Sequence, residues 1–188
     1  MLLSDPAPRE EAHTRRIVLH GYARDDGLFD IEAQLTDTKP YGFPNEDRGR
    51  IEAGEPLHGM SMRMTIDDTM LIVGMEAHTA YSPYRICPEA APMFERLVGL
   101  RIGRGFTRAA AERVGGINGC THLRELLGQM ATVAFQTLYP VLARRTGGAL
   151  GSEAGLLNTC HAYSADGEVV RRRWPDRYTG ADALTPEP

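Results

Sequence analysis

Two stretches of strict alternation limit what this chain can fold into more than anything else in it. In residues 28–36, Phe29, Ile31, Ala33 and Leu35 alternate with Asp30, Glu32 and Gln34. In residues 60–66, Met60, Met62, Met64 and Ile66 alternate with Ser61, Arg63 and Thr65. A period of two belongs to strands with one face on a core and the other in water. Each stretch has a partner across a turn. Residues 15–23 carry Ile17 and Leu19 against Val18, His20 and Tyr22, and end at Arg24-Asp25-Asp26-Gly27. Glycine there supplies the positive φ of a tight turn. Residues 71–77 follow the turn Asp67-Asp68-Thr69, with Leu71, Val73, Met75 and Ala77 alternating with Ile72, Gly74 and Glu76. Two hairpins predict a four-stranded antiparallel sheet with one apolar face. Helices following the sheet cover that face, so the class is α+β.

The helices come from the second half of the chain. Pro88 suits a first helical position, which puts Cys87 at the N-cap of a helix reaching residue 98. Thr107 is read as the cap of a short helix ended by Gly115-Gly116. Residues 119–145 form the long one. Leu123, Leu126, Leu127, Met130, Ala134, Leu138, Val141 and Leu142 recur at helical spacing and predict a buried stripe. Pro140 predicts a kink or an end near Tyr139. A short strand is expected over residues 168–172, with Trp174 pinning the tail to the body. Residues 1–13 and 179–188 read as disordered tails around one domain over 14–178. Residues 37–56 hold Pro40, Pro44, Pro56, Gly42, Gly49 and Gly54, which predict an irregular loop. Tyr41 and Phe43 give it apolar surface, so it is expected to cover a site.

Charge and composition exclude several classes. A net charge of −4 gives no nucleic-acid footprint. No apolar run reaches membrane-spanning length, and the first residues do not read as a signal peptide. Three cysteines, Cys87, Cys120 and Cys160, form no disulfide framework; a reducing cytoplasm is expected, with all three thiols free.

The chemistry-bearing residues concentrate at helix starts. Cys120 and His122 sit at the N-terminus of the long helix, flanked by Gly119, where free N–H groups favour a thiolate or an anion. His58, Cys87, Cys120 and His122 together have the ligand types of a zinc or iron site. Lys39 is the one lysine among 21 basic residues. Unlike arginine, it can form an imine or lose its proton when desolvated. Tyr84, shortly before Cys87, is a candidate hydroxyl donor or pocket wall.

Asp37-Thr38-Lys39-Pro40-Tyr41, Ile86-Cys87-Pro88, Gly119-Cys120-Thr121-His122-Leu123 and Cys160-His161-Ala162-Tyr163 together resemble a bacterial family of uncharacterised domains. The resemblance covers about residues 14–178. It implies a setting in aromatic-compound catabolism and assigns no activity. More distantly, Cys87 and Cys120 resemble two of the cysteines of the iron–sulfur scaffold and sulfur-acceptor fold.

Three functions are expected from these readings. The first is a small cytoplasmic enzyme, a lyase of retro-aldol type or an isomerase, acting by acid–base chemistry on an aromatic carbonyl or hydroxy compound. Its catalytic candidates are Lys39, His58, Tyr84, Cys120 and His122. The second is a metal- or cluster-binding accessory protein using His58, Cys87, Cys120 and His122. The third is a non-catalytic subunit that binds a partner through the Met-rich strand. Self-association into a homo-oligomer is left open.

Overall fold

The computed structural model describes residues 4–145 and 156–181, the side chains of residues 142, 143 and 145 excepted. The ends of both expected tails, residues 1–3 and 182–188, lie outside the described residues. So does the glycine-rich stretch over residues 146–155. The chain forms two compact units, Met1–Val141 and Leu142–Pro188.

In the first unit β1 (Thr14–Ala23), β2 (Phe29–Thr38), β5 (His58–Ile66) and β6 (Ile72–Tyr81) form an antiparallel sheet in the order β1-β2-β5-β6. These are the two expected hairpins, joined along β2 and β5. Phe29, Ile31, Ala33, Leu35, Met60, Met62, Met64 and Ile66 are all buried, on the face that the alternation predicts. Each fully buried Leu, Ile, Met or Phe side chain contributes roughly 1.5–3 kcal/mol. The fourth strand departs from a regular alternation at two shifts of register, opposite Gly59–Met60 and opposite Thr65–Ile66. Ile66 pairs with Ile72 and Thr65 with Gly74, so Val73 is an extra residue. This bulge turns Val73 outward, 41% exposed, and puts Ile72 in the core beside Met75.

The segment 37–56 is not wholly irregular. β3 (Phe43–Asn45) and β4 (Gly49–Ile51) pair into a small ribbon. Asn45 Oδ1 accepts from Asp47 N at 3.2 Å and Arg48 N at 2.9 Å, and Gly49 takes a φ of 75°. That Asx turn with a left-handed glycine makes a hairpin despite the neighbouring prolines.

The helix expected over residues 88–98 is two 3-10 helices, Cys87–Ala90 and Pro92–Leu97. In an α-helix the nitrogen of residue 92 would donate to Pro88 O, but a proline has no hydrogen there. Ala91 N bonds Pro88 O instead, at 3.1 Å. The N-cap is Ile86, and Cys87 is the first helical residue. The turn Pro92–Leu97 packs on β6 with Phe94 and Leu97 buried. α1 (Phe106–Val114) packs on that turn. Gly105, at φ 85°, is its N-cap in place of Thr107.

α2 (Thr121–Arg145) is the long helix, and Pro140 lies inside it without ending it. Leu123, Leu126, Leu127, Met130, Ala134 and Leu138 are buried as the spacing predicts. Two contacts fix its course. Glu125 is bonded to Arg15, and a Cβ on Gly21 would fall 1.8 Å from Thr137 Oγ1. Residues 15 to 21 advance about 20 Å along β1, and residues 125 to 137 about 18 Å along α2. The helix therefore runs alongside β1 in the same direction, which brings its first turn to the row where β1 begins.

In the second unit, residues 168–172 are helical. α3 (Glu168–Arg173) has Glu168 in its first turn and Arg171, Arg172 and Arg173 in its last, the arrangement a helix dipole favours over a strand. Trp174 is buried and packs on Tyr163 with ring centroids 5.4 Å apart.

Candidate functional site

The apolar stripe of β2 ends in a charge. Asp37 follows Phe29, Ile31, Ala33 and Leu35 at the same parity and is 1% exposed. Its neighbours across the sheet are Arg15 on β1 and His58 on β5. Arg15 has the parity of Ile17 and Leu19, and His58 that of Met60 and Met62. One row of the core face is therefore Arg15–Asp37–His58, made from three strands.

Each oxygen of Asp37 meets two donors. Arg15 grips it bidentately, Nε to Oδ1 and Nη2 to Oδ2, both at 2.8 Å. His13 Nε2 lies 3.1 Å from Oδ1 and His58 Nδ1 lies 3.0 Å from Oδ2. Burial is the largest influence on this carboxyl and by itself would raise its pKa. The Arg15 hydrogen bonds, then the charges of Arg15, His58 and His13, outweigh burial and hold it below the ordinary carboxylate range. An ionised carboxylate only accepts, so His58 Nδ1 carries a hydrogen and donates it.

His58 is nearly buried, with a side chain 12% exposed. Its pKa is lowered, first by burial and then by His122, against the opposing pull of Asp37. The neutral imidazole with hydrogen on Nδ1 leaves Nε2 as a free base. His122, in the first turn of α2, stacks on it with ring centroids 3.9 Å apart at 33°. Cys120, the residue before α2, sets its Sγ 3.9 Å from His122 Nδ1. Arg15 Nη1 also bonds Glu125 at 2.5 Å, tying the row to the helix.

His58, His122 and Cys120 border a cavity of about 460 Å³, within the usual size of small-molecule pockets. His58, Cys87, Cys120 and His122 line it, with Tyr84, Met93 and other largely apolar side chains. Four of the sequence candidates thus meet at one cavity with His58. Lys39 does not join them. Its Nζ donates to Tyr41 Oη at 3.1 Å and lies 5.2 Å from that ring's centroid. No residue of the 37–56 segment lines the cavity. Asp47 instead accepts from Arg85 N at 2.8 Å, so the segment supports the stretch that carries Tyr84 and Cys87.

Among the described residues, the compact group with metal-ligand chemistry is Asp37, His58 and His122, with donor atoms within 4.8 Å of one another. Cys87 and Cys120 are not members of it. The four donors around Asp37 occupy the lone pairs a cation would need, and the Arg15 guanidinium would repel one. Met60, Met62 and Met64 are buried, so the Met-rich strand offers no methionine surface. A smaller hollow of about 250 Å³ lies on the sheet's outer face, where Arg63 is paired with Glu32 and Glu76.

Reasoning from the sequence missed Asp37, Arg15 and His13. The signal for Asp37 was present, as an acid at the next in-phase position of an apolar stripe. Arg15 and His13 needed the register of β1 on β2.

The fold and this row define an α+β domain with a buried carboxylate–imidazole pair at the edge of an apolar cavity. Residues 13–136 match the model of a family described as a protein of unknown function (DUF2889), and the chain belongs to that family. No curated protein and no solved structure matches the chain. No helix among the described residues is long and apolar enough to cross a membrane.

Proposed function

We propose that this domain is an enzyme that moves a proton on a small carbonyl or hydroxy compound with an aromatic body, as an isomerase or a lyase. The observation that carries the reading is the Asp37–His58 pair, 3.0 Å apart, beside the cavity. His58 Nε2 is the base, taking a proton from a carbon next to the carbonyl or from a hydroxyl. Asp37 holds the tautomer and steadies the imidazolium once it forms. Arg15 keeps Asp37 ionised, so the proton stays on His58.

Charge then develops on the carbonyl oxygen. The N–H groups of Thr121, His122 and Leu123 open α2 and have no acceptor within the helix. Gly119, Cys120, Thr121 and His122 border the cavity, so an oxygen bound there would meet that helix start. His122 or Tyr84 gives a proton to the atom left electron-rich, and the proton held on His58 passes to that group and resets the site. A retro-aldol cleavage and an enolisation both fit this set, and neither needs an imine on Lys39.

Deuterium wash-in tests the reading without a known substrate. A panel of aromatic ketones, aldehydes and hydroxy-ketones is incubated with the protein in deuterated buffer and followed by proton NMR. Exchange next to the carbonyl, or cleavage, is expected for at least one member, falling about a hundredfold or more in His58→Gln. No enhancement across the panel, or full activity in that variant, would sink the proposal.

A further inference from the structure

The proton-transfer reading uses two imidazoles and leaves the thiols of the same cavity idle. Cys87 and Cys120 are both half-buried and both line it, whereas Cys160 is exposed in the second unit. The two cavity thiols are not equivalent. Cys120 Sγ lies 3.9 Å from His122 Nδ1, and no hydrogen bond joins Cys87 Sγ to any described residue. A thiol beside an imidazole can lose its proton as it attacks, and an apolar cavity holds the attacked molecule against it.

We propose that Cys120, with His122, is a covalent capture site for conjugated aromatic enals and enones. The proposal takes its class of compound from the proton-transfer reading and otherwise stands on the Cys120–His122 contact. Sulfur forms a bond to the β-carbon of the conjugated system. The carbon–carbon π pair moves toward the carbonyl as an enolate, and the thiol proton passes to His122. That proton then returns to the α-carbon. The result is a saturated thioether, with no change of oxidation state overall and no co-reactant. Because Cys120 stands next to His122, which stacks on His58, the adduct would fill the cavity beside the base and stop proton transfer. The thiol thus makes the site sensitive to the electrophilic members of its own ligand class.

The test compares reagents on the full chain. The protein is treated with cinnamaldehyde, reduced with borohydride and peptide-mapped; a parallel sample receives iodoacetamide. Cinnamaldehyde is expected to modify Cys120 at least about tenfold faster than Cys87 or Cys160. Iodoacetamide, which has no ring to seat, is expected to favour the exposed Cys160. His122→Phe keeps an aromatic ring against His58 and removes the proton acceptor. It should slow Cys120 capture about a hundredfold and leave Cys160 labelling unchanged. Cinnamaldehyde labelling of Cys160 or Cys87 as fast as Cys120 in the parent protein would overturn the proposal, whatever the variant does. An unchanged Cys120 rate in a folded His122→Phe protein would do the same. Capture should survive His58→Gln. Labelling without deuterium exchange would therefore count against the proton-transfer reading alone, and exchange without selective labelling against the capture site alone.

Discussion

Asp37 has no lone pair to spare, and its burial makes that arrangement costly to disturb. Replacing it with asparagine keeps the shape, removes the charge and turns one oxygen into a donor facing Arg15 or His58. Asp37 is buried while the Arg15 side chain keeps 30% of its surface in water, so Asp37→Asn should cost about 1–3 kcal/mol in urea unfolding, the range for leaving buried donors unsatisfied. A loss below about 1 kcal/mol would mean that water, and not Asp37, satisfies Arg15 and His58. The sequence made Cys120 and His122 visible at the start of α2, since they announce themselves by type. It hid the residue that organises them. Asp37 stands beside Lys39, and a lone lysine draws attention from a carboxylate that only strand parity marks as buried.

At the scale of elements, the contact of α2 with β1 depends on the missing side chain at Gly21. A methyl group there would meet Thr137 Oγ1, which is itself bonded to Val133 O at 2.8 Å. Gly21→Ala should therefore cost about 1–3 kcal/mol through overpacking, unless Thr137 turns to another rotamer. The companion Thr137→Ala should recover most of it, which denaturant melts of the two single variants and the double variant would reveal. A double variant no more stable than Gly21→Ala would point to backbone conformation in place of a clash. Helix and strand types were legible from period alone, and they failed where two prolines four apart broke a helix into 3-10 turns. They failed also at residues 168–173, a run too short for periodicity to decide. The bulge at Val73 could not be foreseen, because one added residue leaves the same apolar letters on a shifted phase.

For the molecule as a whole, one lowered histidine and a set of lowered carboxylates, with Asp37 the buried one, give an acid response with a definite sign. The folded-state pKa of His58 lies below the ordinary histidine value, so the unfolded chain takes up that proton first. Stability should be full above about pH 6.5 and fall as pH drops from there toward the folded value. Asp37 is also lowered, so a second loss should begin below about pH 4. Thermal melts from pH 8 to 3 should show both limbs, and His58→Gln should remove the first. A melting temperature that holds level between pH 7 and 5 would contradict the His58 assignment. The row Arg15–Asp37–His58 also places an arithmetic condition on the gene. Strands alternate sides with each residue, so one codon gained or lost between Phe29 and Asp37 would exchange inside for outside at every later position of that strand. The carboxylate would be thrown into solvent by the same event that exposed the core. A single added residue keeps the alternation only where it can bulge out, as Val73 does on β6, so a chain that has found its registry has assembled its chemistry as well.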